Sequence, residues 1–122
     1  MMSTLRFLEL REANLKRCPE VFHPLHDWSI QDWACAMASE CGEACNIAKK
    51  LKRYATKSNT DKDPLAAKAA MWALARELAD VVIYADLLAA RIGADLGEEI
   101  TKKFNDVSHR MKSSVFLKEK GD

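Results

Sequence analysis

The sequence predicts an all-α fold, and three observations carry that prediction. Apolar residues recur at three- and four-residue spacing through most of the chain. No run alternates apolar and polar residues for long enough to make a strand. Start and stop signals fall where the periodic segments begin and end.

A first, short helix is expected over residues 4–17, opened by Ser3 and closed at Pro19. "VFHPLHDW" (21–28) reads as an extended, aromatic-rich connector, kept out of helix by Pro24. A long helix follows over residues 30–55 with Ser29 as its N-cap, and "TKSNTDKD" (56–63) is a polar loop. Asp63 and Pro64 supply an N-cap and a proline at the first helical position, opening a second long helix that runs to Ile92 and stops at Gly93. Asp95 with Glu98 forms a capping box for a last helix over 96–112, and "SSVFLKEKGD" beyond it is expected to fray or to need a partner. Alanine dominates the two long helices, and small residues let helices approach closely, as a bundle requires.

A chain of 122 residues is long enough for one core and too short for two. Its formal net charge of +1 gives no bulk field toward a nucleic acid polymer or a membrane surface. Arg6, Glu9, Arg11 and Glu12 interrupt the N-terminus where a signal peptide would be apolar, and no run reaches the ~20 apolar residues of a membrane span. A cytoplasmic protein is the expectation. Cys18, Cys35, Cys41 and Cys45 are then free thiols rather than a disulfide framework. Cys41 and Cys45 share a helix face, but no CxxC or Cys/His box completes a zinc site, so buried small hydrophobes are expected there.

The chemistry-bearing pattern is a pair of acidic pairs. In "SECGEACNIAKK" (39–50) Glu40 and Glu43 are three apart, and in "RELADVVIYADLLAARIG" Glu77 and Asp80 repeat the spacing. On a helical wheel the first pair borders an apolar stripe of Ala34, Met37, Ala38, Cys41, Ala44, Ala48 and Leu51. The second pair flanks a stripe of Met71, Leu74, Leu78, Val81, Val82, Ala85 and Leu88. If the two helices pack antiparallel, four carboxylates converge at the edge of a core. Converging carboxylates repel unless a cation joins them. Oxygen ligands with no histidine select Mg²⁺, or Mn²⁺ in its place, over zinc. Mg²⁺ commonly takes its remaining ligands from substrate phosphates, which suggests phosphoryl chemistry. A di-iron bundle would need two Glu-x-x-His pairs on its helices, and only Glu20 with His23 has that spacing, beyond Pro19 where the first helix is expected to close. Gly42, between the glutamates, costs a helix interior about 1 kcal/mol relative to alanine.

"SECGEACNIAKKLKR" followed by "RELADVVIYADLLAARIGADL" resembles the MazG-like, all-α nucleoside triphosphate pyrophosphohydrolases, whose signature is an E-x-x-E helix and then an E-x-x-D helix. The likeness spans roughly residues 28–110 and is nearest to the dCTP pyrophosphatase branch and to short bacterial or phage MazG-like proteins. It implies a MazG-like bundle of two long and two shorter helices completed by oligomerisation, as a dimer or tetramer. It further implies a catalytic helical domain over 28–112, preceded by a helix and connector over 1–27 and followed by a tail over 113–122. Glu40, Glu43, Glu77 and Asp80 would hold Mg²⁺ against a triphosphate and carry catalysis. The implied activity is hydrolysis of a nucleoside triphosphate, a dNTP above all, to the monophosphate and pyrophosphate, for nucleotide-pool control or house-cleaning. Gly42 would be small so as not to crowd that site. The chain departs from the family at Ser39, where many members have another glutamate. It departs again at Lys50, where the dCTP branch has an aromatic residue, so base preference does not carry over. The alternative function is a catalytically idle helical module that binds a nucleotide or a protein.

Substrate contacts are expected from Lys50 and Arg53, which can meet phosphate oxygens, although cations at a helix C-terminus also suit the macrodipole. Trp28 or Trp33 can stack on a base, with Trp33 and Trp72 also expected in the core or at a subunit interface. The resemblance adds Tyr84 near the nucleoside and Lys103 on the last helix, where Leu96, Ile100, Val107 and Met111 are expected to be the buried stripe.

Overall fold

The computed structural model describes residues 1–56 and 64–119. It contains four α-helices and no strand among the described residues: α1 Phe7–Val21, α2 Ile30–Thr56, α3 Pro64–Arg91 and α4 Leu96–Arg110, with a 3-10 turn at Leu25–Asp27 between α1 and α2. The all-α expectation holds. No described helix is long and apolar enough to cross a membrane. The contacts group into two units, Trp28–Ala85 on one hand and Met1–Asp27 with Asp86–Asp122 on the other, and α3 runs through the boundary.

The ends of the helices follow local side-chain chemistry. At α2, the Asp32 N–H donates to Ser29 Oγ at 3.0 Å and the Ser29 N–H donates to Asp32 Oδ2 at 2.9 Å, a reciprocal capping box with aspartate as its third residue. Pro64 opens α3, while Asp63 lies outside the described residues. At the other end of α3, Gly93 adopts φ +77, the left-handed conformation that lets the Ala94 N–H reach back to Ala89 O at 2.8 Å. Asp95 caps α4 by accepting from the Glu98 N–H at 3.0 Å. The Glu98 carboxylate does not reciprocate; it pairs with Lys102 at 3.0 Å.

The first helix differs from expectation. It begins at Phe7, because Ser3 turns on the Leu5 N–H, and it is the Glu9 carboxylate that accepts the Arg6 N–H. It then continues through Pro19 to Val21. Pro19 removes one backbone donor and crowds the carbonyl four residues earlier, yet the chain beyond it still closes on Cys18 O, which accepts the Phe22 and His23 N–H at 3.0 and 3.1 Å. The aromatic connector is correspondingly shorter and carries the 3-10 turn after Pro24.

The unit built from the two chain ends has a polar centre. Asp86, 1% exposed, accepts from Arg11 Nε at 3.2 and 3.3 Å and from Asn14 Nδ2 at 3.0 Å. Arg11 also donates to Ala94 O at 2.6 Å, tying α1 to the α3–α4 turn. Gly97 lets the first turn of α4 come close to α1, since a Cβ there would meet Phe7 Cβ at 3.1 Å. The inward face of α4 holds Asn105 and Ser108; of the stripe expected, Leu96 and Val107 are half-buried, while Ile100 and Met111 are exposed. Asn105 faces inward because its carboxamide binds backbone, donating to Leu117 O at 2.9 Å and accepting the Leu117 N–H at 2.8 Å. Phe116 packs on His109 with ring centroids 4.7 Å apart. The described part of the tail is thus strapped along α4 rather than frayed.

The other unit is the α2–α3 pair. Trp33 meets Tyr84, and seven residues further along α2 Glu40 meets Glu77, seven residues earlier on α3. The helices therefore run antiparallel. Their inward faces contain Trp33, Met37, Glu40, Ala44, Ile47 and Leu51 on α2, and Ala70, Leu74, Glu77, Val81 and Tyr84 on α3. The apolar stripes drawn from the sequence overlap these faces at Met37, Ala44, Leu51, Leu74 and Val81 and extend beyond them on one side. Ala38, Cys41 and Ala48 are exposed, and so are Met71, Leu78 and Val82. Each helix is turned so that a glutamate, Glu40 or Glu77, sits near the middle of the contact instead of at its border.

Candidate metal centre

Glu40 and Glu43 reach the site from α2 and Glu77 from α3. One carboxylate oxygen of each lies within 4.8 Å of the others. Glu40 and Glu77 are half-buried and Glu43 is exposed. The i,i+3 spacing puts Glu40 and Glu43 on adjacent turns, and the antiparallel register brings Glu77 opposite both.

The electrostatics match the crowding. Loss of solvent around Glu40 pushes its carboxyl above the ordinary carboxylate range, and the charges of Glu43 and Asp80 push it further, with proton sharing toward Glu77 added. Glu77 is raised for the same first reason, then by sharing its proton with Glu43 and by the charges of Glu43 and Asp80. Its contact with Glu40 acts in the opposite direction, because there Glu77 is the acceptor. Three ionised carboxylates have no proton to share. Glu77 Oε2 is then a buried oxygen with no hydrogen-bond donor. Asp80 is half-buried and close enough for its charge to act on both Glu40 and Glu77, although it is outside the group of three.

A buried oxygen without a donor, beside two more carboxylates, is an arrangement whose charge a cation would balance. All the ligand atoms are carboxylate oxygens, the donor set of Mg²⁺ or Mn²⁺. No cysteine or histidine joins the group. Only Cys18 is buried; Cys35, Cys41 and Cys45 are exposed, so the expected burial of Cys41 and Cys45 is not what the fold provides.

Gly42 serves no packing. It is exposed, and a Cβ on it would meet no protein atom within 4 Å. At about 100° per residue it points roughly opposite to Glu40 across the helix. The expectation that bulk at position 42 would crowd the carboxylate site is corrected by this placement.

The aromatic residues group at one end of the same helix pair. Trp33, 1% exposed, packs on Trp28 with centroids 4.7 Å apart and on Tyr84 at 6.4 Å. Trp28 and Tyr84 are half-buried. Trp33 and Tyr84 each stand seven residues, or about 10 Å of helix, from the nearest glutamate on their own helix. Trp72, expected in a core or an interface, is 67% exposed.

The basic residues are not drawn into the carboxylate group. Lys50 and Arg53 are exposed on the last turns of α2. Lys103 is exposed in the other unit, where it borders an apolar groove along α4 formed with Leu96, Ile100, Phe104, Val107 and Met111. Sequence reasoning missed Asn105 as a backbone clamp; "KKFN" gives a wheel position and no hint of a tail folding back onto it. No family model, curated protein or solved structure matches the chain.

Proposed function

We propose that the protein is a Mg²⁺-dependent nucleoside triphosphate pyrophosphohydrolase, acting on a dNTP and releasing the monophosphate and pyrophosphate. The observation that carries this is the convergence of Glu40, Glu43 and Glu77 within 4.8 Å, with the Asp80 charge bearing on them and Glu77 Oε2 lacking a donor. Glu40, Glu43, Glu77 and Asp80 are the residues that would hold Mg²⁺, with Mn²⁺ as a substitute. The ion would neutralise the triphosphate and polarise the scissile phosphorus. One carboxylate of the four orients the attacking water and takes its proton. Lys50 and Arg53 serve phosphate oxygens, and Trp28 and Tyr84 lie at the aromatic end where a base stacks. The resemblance to the MazG-like family supplies the reaction; the acidic centre supports it.

The α2–α3 pair suggests a homo-oligomer. Two antiparallel helices are related by a twofold axis that keeps each side of the pair on its own side. Ala38, Cys41, Cys45 and Ala48 therefore share one side with Met71, Leu78 and Val82, and all seven are exposed. A second copy covers this apolar side. Light scattering at micromolar concentration should report a dimer or larger, and a monomer would refute this part.

The activity is tested with a panel of dNTPs and NTPs, each with Mg²⁺ and with EDTA, and with products identified by ion exchange. Pyrophosphate and monophosphate should appear with Mg²⁺ alone. Nucleoside diphosphate as the main early product would exclude cleavage at the α–β linkage. No turnover of any nucleotide would leave the idle binding module.

A further inference from the structure

The carboxylate centre opens toward one side of the helix pair, and that side carries an arginine the mechanism has not used. Glu43 stands about 60° around α2 from Glu40, and Asp80 stands about 60° in the same sense around α3 from Glu77. In an antiparallel pair equal rotations lead to the same side, so Glu43 and Asp80 flank one opening, away from the apolar side. Arg76 precedes Glu77 and is turned about 100° from it in that same sense. Glu77 lies opposite Glu40, so Arg76 stands one residue, about 1.5 Å, from that level in the direction of Glu43.

Arg76 is exposed, and it makes no ion pair among the described residues. Asp80 lies four residues on, at a spacing where helix ion pairs form, yet the two do not pair. Arginine before the acid is the weaker order for such a pair, which leaves the guanidinium available. Lys50 is on the same side but about 10 Å further along α2 from Glu43. Arg53 is turned still further outward. Of Arg76, Lys50 and Arg53, these angles and rises place Arg76 nearest the acidic centre.

A triphosphate carries more negative charge than the cations at a carboxylate site neutralise, and its free non-bridging oxygens suit a planar fork of donors. We infer that Arg76, between the levels of Glu40 and Glu43 and on the side to which Glu43 and Asp80 turn, binds non-bridging phosphate oxygens of a metal-bound polyphosphate held at that centre. This rests on the polyphosphate reading of the site and adds a residue and a direction: the chain of phosphates leaves on the Arg76 side.

The test uses inorganic tripolyphosphate with Mg²⁺ as the probe, titrated by calorimetry into the full chain, Arg76→Gln and Arg76→Lys. Thermal melts with Mg²⁺ alone are recorded for the same three proteins. Arg76→Gln should bind Mg²⁺-tripolyphosphate about 10- to 100-fold more weakly, the range for one lost charge-assisted hydrogen bond. Arg76→Lys should recover part of the loss, and the melting response to Mg²⁺ alone should be the same in all three. If wild type takes up no Mg²⁺-tripolyphosphate, the polyphosphate reading falls and this inference with it. Equal binding by wild type and Arg76→Gln overturns the inference alone. Loss of the Mg²⁺-only response in Arg76→Gln also overturns it, because Arg76 would then act on the carboxylates and not on phosphate.

Discussion

Gly42→Ala asks what a glycine is doing in the middle of α2, two residues after one ligand of the acidic centre and one before another. The position has helical backbone without positive φ, is exposed, and has no atom within 4 Å of where a Cβ would stand. No packing is gained or lost, so the whole effect on stability is helix propensity. Alanine should stabilise the fold by about 1 kcal/mol, through less chain entropy to lose and better shielding of the backbone. For a chain of this size that is a rise in Tm of about 3–6 °C. The side chain points away from Glu40 and the inward face, so Mg²⁺-dependent pyrophosphate release should stay within about twofold, well below the ~1.4 kcal/mol that a tenfold change represents. The assay is a pair of melts in EDTA, followed by steady-state pyrophosphate release at saturating and limiting nucleotide. A lower Tm would refute the assignment of open space around residue 42. A higher Tm with lost turnover would mean that a ligand or second copy occupies that space after all.

Glu77→Gln removes a charge from the centre and keeps the shape, so turnover should fall by more than the ~10²–10³-fold typical of one electrostatic stabiliser, with an unchanged circular dichroism spectrum; near-wild-type release would eliminate Glu77 as a ligand. Replacing both Glu40 and Glu77 with glutamine should raise the melting temperature in EDTA and erase the response to Mg²⁺. In wild type, Mg²⁺ at 100 times its dissociation constant should add about 2.7 kcal/mol. An equal Mg²⁺ shift in both proteins, at matched ionic strength, would mean that the carboxylates do not form one site. The pH dependence has a definite sign. Glu40 and Glu77 have carboxyls raised above their ordinary 4.5 in the folded chain. The fold thus keeps protons that the unfolded chain has already released, and the stability these groups contribute is complete below the ordinary value. It is lost as pH rises through the raised values. In EDTA the Tm of wild type should therefore fall relative to that of the double glutamine variant as pH increases from the ordinary carboxylate range toward neutrality. A difference that is flat or opposite in sign would contradict the crowding of these groups.

Much of the molecule was legible because the signals are local. Ser29, Gly93 with its positive φ, and Asp95 each set a helix end through bonds spanning five residues or fewer, and the sequence alone identifies them as caps; the Asp32 half of the first cap was not read from it, and the Glu98 half of the last does not form. The two acidic pairs were legible for the same reason, since i,i+3 spacing fixes a shared face on any helix. The N-terminal helix was less so, because Pro19 signals a helix end, and the backbone bonds to Cys18 O that carry the chain past it are seen only in the fold.

Which face of each long helix turns inward was decided only by tertiary structure. A wheel gives angles between residues of one helix, and the most apolar arc is its natural guess for the buried side. That guess holds for Met37, Ala44 and Leu51 on one helix and Leu74 and Val81 on the other, but it also takes in Ala38, Cys41 and Ala48, and Met71, Leu78 and Val82, all of which the fold leaves exposed. The register between α2 and α3 joins residues more than thirty positions apart, and no local periodicity encodes it. Trp33 against Tyr84, and Glu40 against Glu77, set a different rotation. It places two glutamates in the middle of the contact and leaves the apolar arcs together on one side. The sequence determined that four acids would stand in pairs at fixed spacing; the packing of one helix against the other decided that three of them would meet.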